Sequence, residues 1–316
     1  MEIDKAWLDS HEWMLRSSNN GISYEGYRWK REGEWNKAPD WNDRAECGGG
    51  FHGIAPEAHG YDFVYSRIEL HETRGQRVIV EDNKIKVPES RIVAVGSEIP
   101  AEAFSRCGMR VISDGDEIDR VGDGIWIVFH GSVVIETVAK GGKVHCYGGS
   151  EVEIATVAKG GNVRSYNNSE ITIETVAKDG EVYCWDNSKM TIETVVKDGK
   201  ACSHDNSKMT IETVAKDGYA CSHDNSKMTI ETVAKDGYAC SCDSSKMTIE
   251  TVATGGYASA YSDSKITIEK VTDGIVWSYE NSRITVENMT GGYTCFYGKH
   301  PIKIINDLRK EKQNGD

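Results

Sequence analysis

A chain of 316 residues, 38% apolar and 28% charged, has room for two ordinary domains but is lean in apolar side chains. No run approaches the roughly eighteen apolar residues that read as a membrane span, and the acidic opening MEIDKAWLDSHEW has no apolar signal core. The net charge of −13 is spread over the whole length, which excludes the concentrated Lys and Arg of a phosphate-binding surface. Neither nucleic acid nor membrane is therefore an expected partner. The expected address is cytoplasmic, the host cytoplasm or the virion if the chain is viral. Nine cysteines, an odd number without an export signal, are expected to stay thiols there.

Residues 1–117 read as a small α+β domain. AWLDSHEWML has the pattern of an amphipathic helix. Five of the eight tryptophans lie in this region, at Trp7, Trp13, Trp29, Trp35 and Trp41. RVIVEDNKIKVPESRIVAV predicts short strands with a turn at Glu81–Asn83. Between them lies the loop Cys47-Gly48-Gly49-Gly50-Phe51-His52-Gly53, where missing side chains let backbone approach a neighbour or a ligand closely. Cys47 and His52 are a candidate nucleophile and base, and IELHET supplies Glu69, His71 and Glu72 as further candidates. That set would fit group transfer involving a nucleotide, although the strand–loop–helix context and lysine of a phosphate loop are missing. The competing reading is a tightly packed turn with His52 hydrogen-bonded to backbone.

The order of these motifs carries a resemblance. YRWKREGEWNKAPDWN (27–42), CGGGFHGIAPEAHGY (47–61), the strand RIELHET and a closing RIVAV resemble an uncharacterised domain of phage and actinobacterial proteins. The likeness covers about a third of the chain. It implies a phage or prophage context and no established activity.

From residue 118 the chain repeats. Val138, Val157, Val176, Val195, Val214, Val233, Val252 and Val271 recur at a spacing of 19, and KMTIETVAKDGYACSHDNS (208–226) is followed by a copy differing at two positions. Self-similarity at this period, with two segments of period-two alternation per copy, predicts a parallel β-solenoid of 19-residue coils over 118–305. Met190, Ile192 and Val195 should face inward, with Val182 and Cys184 inward on the other segment. Where the first segment offers Met190, Met209, Met228 or Met247, the second offers Ala201, Ala220, Ala239 or Ala258, a volume compensation that suits one shared core. The turns read as AKDG or AKGG, with glycine supplying positive φ, and D-N-S, with Asn187, Asn206 and Asn225 stacked for amide bonding. Coils should begin near residue 121, and at ~4.8 Å each give a rod of roughly 45 Å. The tail 306–316, with Asn306 as N-cap, is expected as a capping helix.

Two features of the coils could carry chemistry or binding. Cys202 and Cys221 share an outward column beside His204 and His223, a candidate set of zinc ligands. The column of Thr191, Thr210 and Thr229 beside Glu193, Glu212 and Glu231 is a candidate binding face for a protein; the stacked carboxylates suit it poorly to ordering ice. Near-identical coils give length, rigidity and multivalent contact, whereas a catalytic centre needs unlike groups at one place. The expectation is a mainly β, protein-binding scaffold without a cofactor, the alternative being an enzyme with its site around Cys47 and His52.

Overall fold

The computed structural model describes residues 3–19, 21–22, 26–59, 62–63, 65–81 and 83–309. The chain divides into two compact units, Met1–Ile112 with Ile125–Phe129, and Ser113–Gly124 with His130–Asp316.

Apart from short helical segments, the regular structure of the first unit is strand. α1 (Lys5–Ser10) is capped by Asp4, whose carboxylate accepts from the Trp7 N–H at 2.8 Å. The expected helix stops there, because the rest of its motif enters β1 (Trp13–Ser18). β2 (Asn36–Lys37), β3 (Phe51–Gly53), β4 (Arg67–Arg74), β5 (Val78–Val80), β6 (Lys84–Val87) and β7 (Glu89–Val95) follow, then α2 (Ala101–Arg106) and β8 (Met109–Ile112). β1, β4, β7 and β2 form one antiparallel sheet in that order, and β3, β6 and β5 a second. Met14, Trp29, Phe51, Ile85, Val87 and Ile92 form a buried core in this unit. The turn between β5 and β6 falls where the sequence placed it, with Glu81 at φ 53°.

The second unit is the predicted solenoid. Seven-residue strands such as Lys189–Val195, Lys208–Val214 and Lys227–Val233 stack in parallel and in register, Met190 on Met209 and Met209 on Met228. Shorter strands such as Lys200–Ser203 and Tyr219–Ser222 stack likewise, Ala201 on Ala220. The Met and Ala columns are both buried as expected. A single coil could not bury this surface; the stack does. The pile starts earlier than the repeat suggests, since β9 (Glu117–Val121) already pairs with Ser132–Val138 and makes the sheet eleven-stranded. At the other end Asn306 does not cap a helix. It continues the ladder in Lys303–Asp307, where its side chain donates to Asn288 Oδ1 at 3.0 Å, and this pairing outcompetes an isolated short helix. Residues 310–316 of the expected helix lie outside the described residues.

The turns correct the sequence reading. In the AKDG turn it is the aspartate that takes positive φ, 58° at Asp198 and 57° at Asp217, while the glycine after it does not. In the D-N-S turn both Asp205 and Asn206 are left-handed, at φ 47° and 62°. The Asn column bonds along the stack through backbone, as when the Asn206 N–H donates to Asp224 O at 3.2 Å.

The serine closing each D-N-S turn is the part that the repeat pattern concealed. Ser226 is fully buried, its Oγ accepts from the His223 N–H at 3.1 Å and donates to Ser203 O in the preceding coil at 3.0 Å. Ser207 and Ser245 repeat both bonds. One hydroxyl thus closes its own turn and ties it to the coil below. Ser226→Ala removes both bonds and the contacts of Ser226 Oγ with the buried Ser203 and Ser222 hydroxyls at 3.0 and 2.9 Å, while the His223 N–H keeps its own bond to Ser203 O at 2.8 Å, so we expect a loss of about 1–2 kcal/mol of this unit's stability in urea unfolding. Thr229→Ala on the exposed column is expected to shift it by under about 0.5 kcal/mol.

Candidate functional site

In the first unit β1, β3 and the loops beside them enclose a cavity of about 570 Å³, lined among others by Arg16, Tyr27, Cys47, Phe51, His52 and Lys84. The structure therefore brings Cys47 and His52 to one space. It does not join them as nucleophile and base: the exposed Cys47 thiol is 3.7 Å from Glu81 Oε1, and His52 Nε2 is buried without a hydrogen-bond partner. Burial, then the positive charges of Lys84, Lys86 and Arg16, lower the His52 pKa to about 4, which keeps the imidazole neutral at ordinary pH. Arg16 lies with its guanidinium 4.1 Å from the Trp29 ring centroid, and its Nε is also buried and unpartnered.

The glycine loop owes its path to packing. A Cβ on Gly49 would overlap the Asn42 side chain, and one on Gly50 would sit 2.9 Å from the Trp41 ring. Beneath them Lys86 on β6 is fully buried, its ammonium donating to Asn42 Oδ1 at 3.0 Å, Gly48 O at 3.1 Å and Glu46 O at 3.2 Å. A lysine in an alternating strand reads as surface, so nothing local in the sequence marks this role. Its three acceptors come from 38 to 44 residues away.

Glu69 and His71 are not among the residues lining the cavity. They are fully buried on β4, His71 Nε2 3.1 Å from Glu69 Oε2 and Nδ1 3.2 Å from Ser90 Oγ. Ser18 Oγ and Arg67 Nε donate to the other carboxylate oxygen at 2.7 and 2.8 Å. Burial raises the Glu69 pKa, but the bonds from His71 and Ser18 outweigh it and hold the carboxyl below its usual range. Burial lowers His71 to about 4 against the opposing pull of Glu69. A neutral imidazole donating through Nε2 and accepting at Nδ1 satisfies both neighbours. Glu72 instead pairs with Arg91 at 2.6 Å.

On the solenoid, Thr191, Thr210 and Thr229 are exposed in one in-register column, as are Glu193, Glu212 and Glu231. Lys189, Lys208 and Lys227 are exposed at the head of the same strands. This face repeats without interruption over consecutive coils.

The cysteine–histidine columns differ from their sequence reading. Cys202 and Cys221 are joined by a disulfide, so not every cysteine stays a thiol. Their column points away from the solenoid core yet is buried, at 1% and 2% exposure, because Tyr183, Tyr219 and Tyr238 pack against it. His204 stacks flat between Trp185, at 4.0 Å, and His223, at 4.9 Å. The imidazoles of His204 and His223 reach toward Asp224 and Asp243, each at 3.5 Å. Burial, then the neighbouring His223, lowers the His204 pKa to about 4. Sulfurs and rings thus engage one another along the stack rather than converging on a point, and among the described residues no group of three or more His, Cys, Asp or Glu is placed to hold a metal. No helix among the described residues is long and apolar enough to cross a membrane. Compared with protein families, curated proteins and solved structures, the chain matches none.

Proposed function

We propose that the chain is a structural, protein-binding scaffold, of the kind a phage or prophage would encode, working in the cytoplasm of the cell that makes it. The observation that carries this reading is the Lys–Thr–Glu face, identical in coil after coil and held in strict register by a rigid parallel stack. A surface that repeats every ~4.8 Å suits a partner that makes many like contacts, each weak, whose sum is tight. Its glutamate column can pair with cationic groups of a protein, and the chain's net charge of −13 disfavours nucleic acid. The cavity shared by Cys47 and His52 favours a second reading, an enzyme head acting on a small molecule, for which the repeats would be an arm.

One pair of variants separates the two. Glu193→Lys, Glu212→Lys and Glu231→Lys made together should reduce capture of the partner, identified by mass spectrometry from the native host, by at least about tenfold. His52→Ala should leave capture unchanged. Undiminished capture by the triple variant would remove the binding face from the proposal, and capture lost only in the His52 variant would move the function to the head.

A further inference from the structure

Four cysteines meet on the outer face of the solenoid's second sheet. Cys202, Cys221 and Cys240 occupy one column of consecutive coils, with Cys202 directly in register with Cys221 and Cys221 with Cys240. The first two are bonded; Cys240 and Cys242 are free thiols whose sulfurs lie 3.3 Å apart. Tyr219, Tyr238 and Tyr261 pack against this cluster, and Cys240 is only 4% exposed whereas Cys242 is half-buried.

Disulfides exchange when a thiolate attacks one sulfur of the bond and displaces the other. In-register parallel strands set the three Cβ atoms of a column along the stack axis. Cys240 thus stands one coil beyond Cys221, on the side away from Cys202, from which a thiolate can displace the Cys202 sulfur. We propose that Cys240 is the nucleophile of a thiol–disulfide exchange site that carries the bond along this ladder to the surface. In the first step the Cys240 thiolate bonds to Cys221 Sγ, the Cys202–Cys221 bond breaks with its electron pair going to Cys202, and the proton given up by Cys240 ends on Cys202. In the second, the Cys242 thiolate bonds to Cys240 Sγ and Cys221 leaves, taking the proton that Cys242 lost. One disulfide and two thiols are present before and after, so no outside oxidant or reductant enters. The environment assists: Cys242 donates a hydrogen bond to Cys240, which lowers its pKa despite burial, and Ser259, Tyr219 and Tyr238 donate in support. Cys242, in the turn that follows, is the point at which a soluble thiol or disulfide reaches the chain.

This inference is independent of the partner-binding face and is tested on the full-length chain. Lysines separate the peptides holding Cys202, Cys221 and the Cys240–Cys242 pair, so tryptic mapping after acid quench and alkylation distinguishes every pairing. Incubated at pH 8 without reductant, the wild type should show Cys221–Cys240 and Cys240–Cys242 linkages beside Cys202–Cys221. Cys240→Ser should show only Cys202–Cys221 and lose that bond to dilute dithiothreitol on the order of tenfold more slowly. Serine is already native to this column at position 259, so the variant keeps the stack. Cys242→Ser should retain the Cys221–Cys240 species and lack the last one. A wild type that keeps Cys202–Cys221 alone, a reduction rate unchanged in Cys240→Ser, or a chain isolated with all four sulfurs as thiols would each overturn the proposal.

Discussion

Replacing Lys86 by methionine should lower the stability of the first unit by about 3 kcal/mol and release the glycine loop. The substitution conserves volume, so the packing of β6 against its neighbours changes little. What it removes is a charge-assisted anchor: three acceptors, Asn42 Oδ1, Glu46 O and Gly48 O, lose one donor at a stroke. Bonds to a charged donor contribute roughly 1.5–3 kcal/mol each, and some is recovered when the freed carbonyls reach water and the desolvated charge is gone, which brings the net to about 3. Water can reach them because Glu46 is exposed and Gly48 half-buried in the loop. Hydrogen exchange across residues 42–49 should therefore accelerate more than exchange in β4. Lys37→Met is the control: its side chain is 76% exposed and pairs with Glu89 at the surface, so it should change stability by under about 0.5 kcal/mol. Equal effects from the two lysines would show that the buried ammonium does not hold the loop.

Lys86 also marks where sequence reasoning runs out. Period-two alternation was enough to turn the Met column inward, because a strand whose alternate residues are apolar has one face that must be buried. The same alternation set Cys202 and Cys221 on the outer face, correctly, but exposure there depends on Tyr219 and Tyr238 packing against them from neighbouring columns, which no single strand records. Ser207, Ser226 and Ser245 were visible as a fixed position beside varying neighbours, yet a small polar residue after a turn looks solvated. The usable signal was its constancy next to Cys240 and Cys242, Asp243 and Ser244, which do vary between copies. In the first unit, Cys47 and His52 were legible as a pair because they share a short loop. Glu69 and His71, two apart on one strand, were legible as a pair for the same local reason. That the two pairs occupy different places is a property of the sheet order alone. The chemistry of a site is written locally, and its assembly is not.

The turn glycines give the sharpest separation between a pattern and its cause. Gly218→Ala should destabilise the solenoid by about 3 kcal/mol, although alanine fits its backbone dihedrals and raises β-propensity. A Cβ there would lie 2.5 Å from Val195 O in the coil below. That carbonyl cannot retreat, because it accepts the Ala215 N–H at 2.9 Å and forms part of the ladder. Relief requires the coils to separate locally, which breaks bonds on both sides of the turn. Asp217, at φ 57°, stands where the left-handed conformation costs a non-glycine residue about 1 kcal/mol. Asp217→Gly removes that strain while adding a similar entropy to the unfolded chain, so it should be neutral within about 1 kcal/mol. The AKGG coils already test half of this: Gly141 and Gly160 occupy the aspartate's position at φ 77° and 72°. Urea unfolding of the two single variants decides between close approach and dihedral freedom. If Gly218→Ala proved silent, close approach would not hold that glycine, and the spacing between coils would have to be set elsewhere.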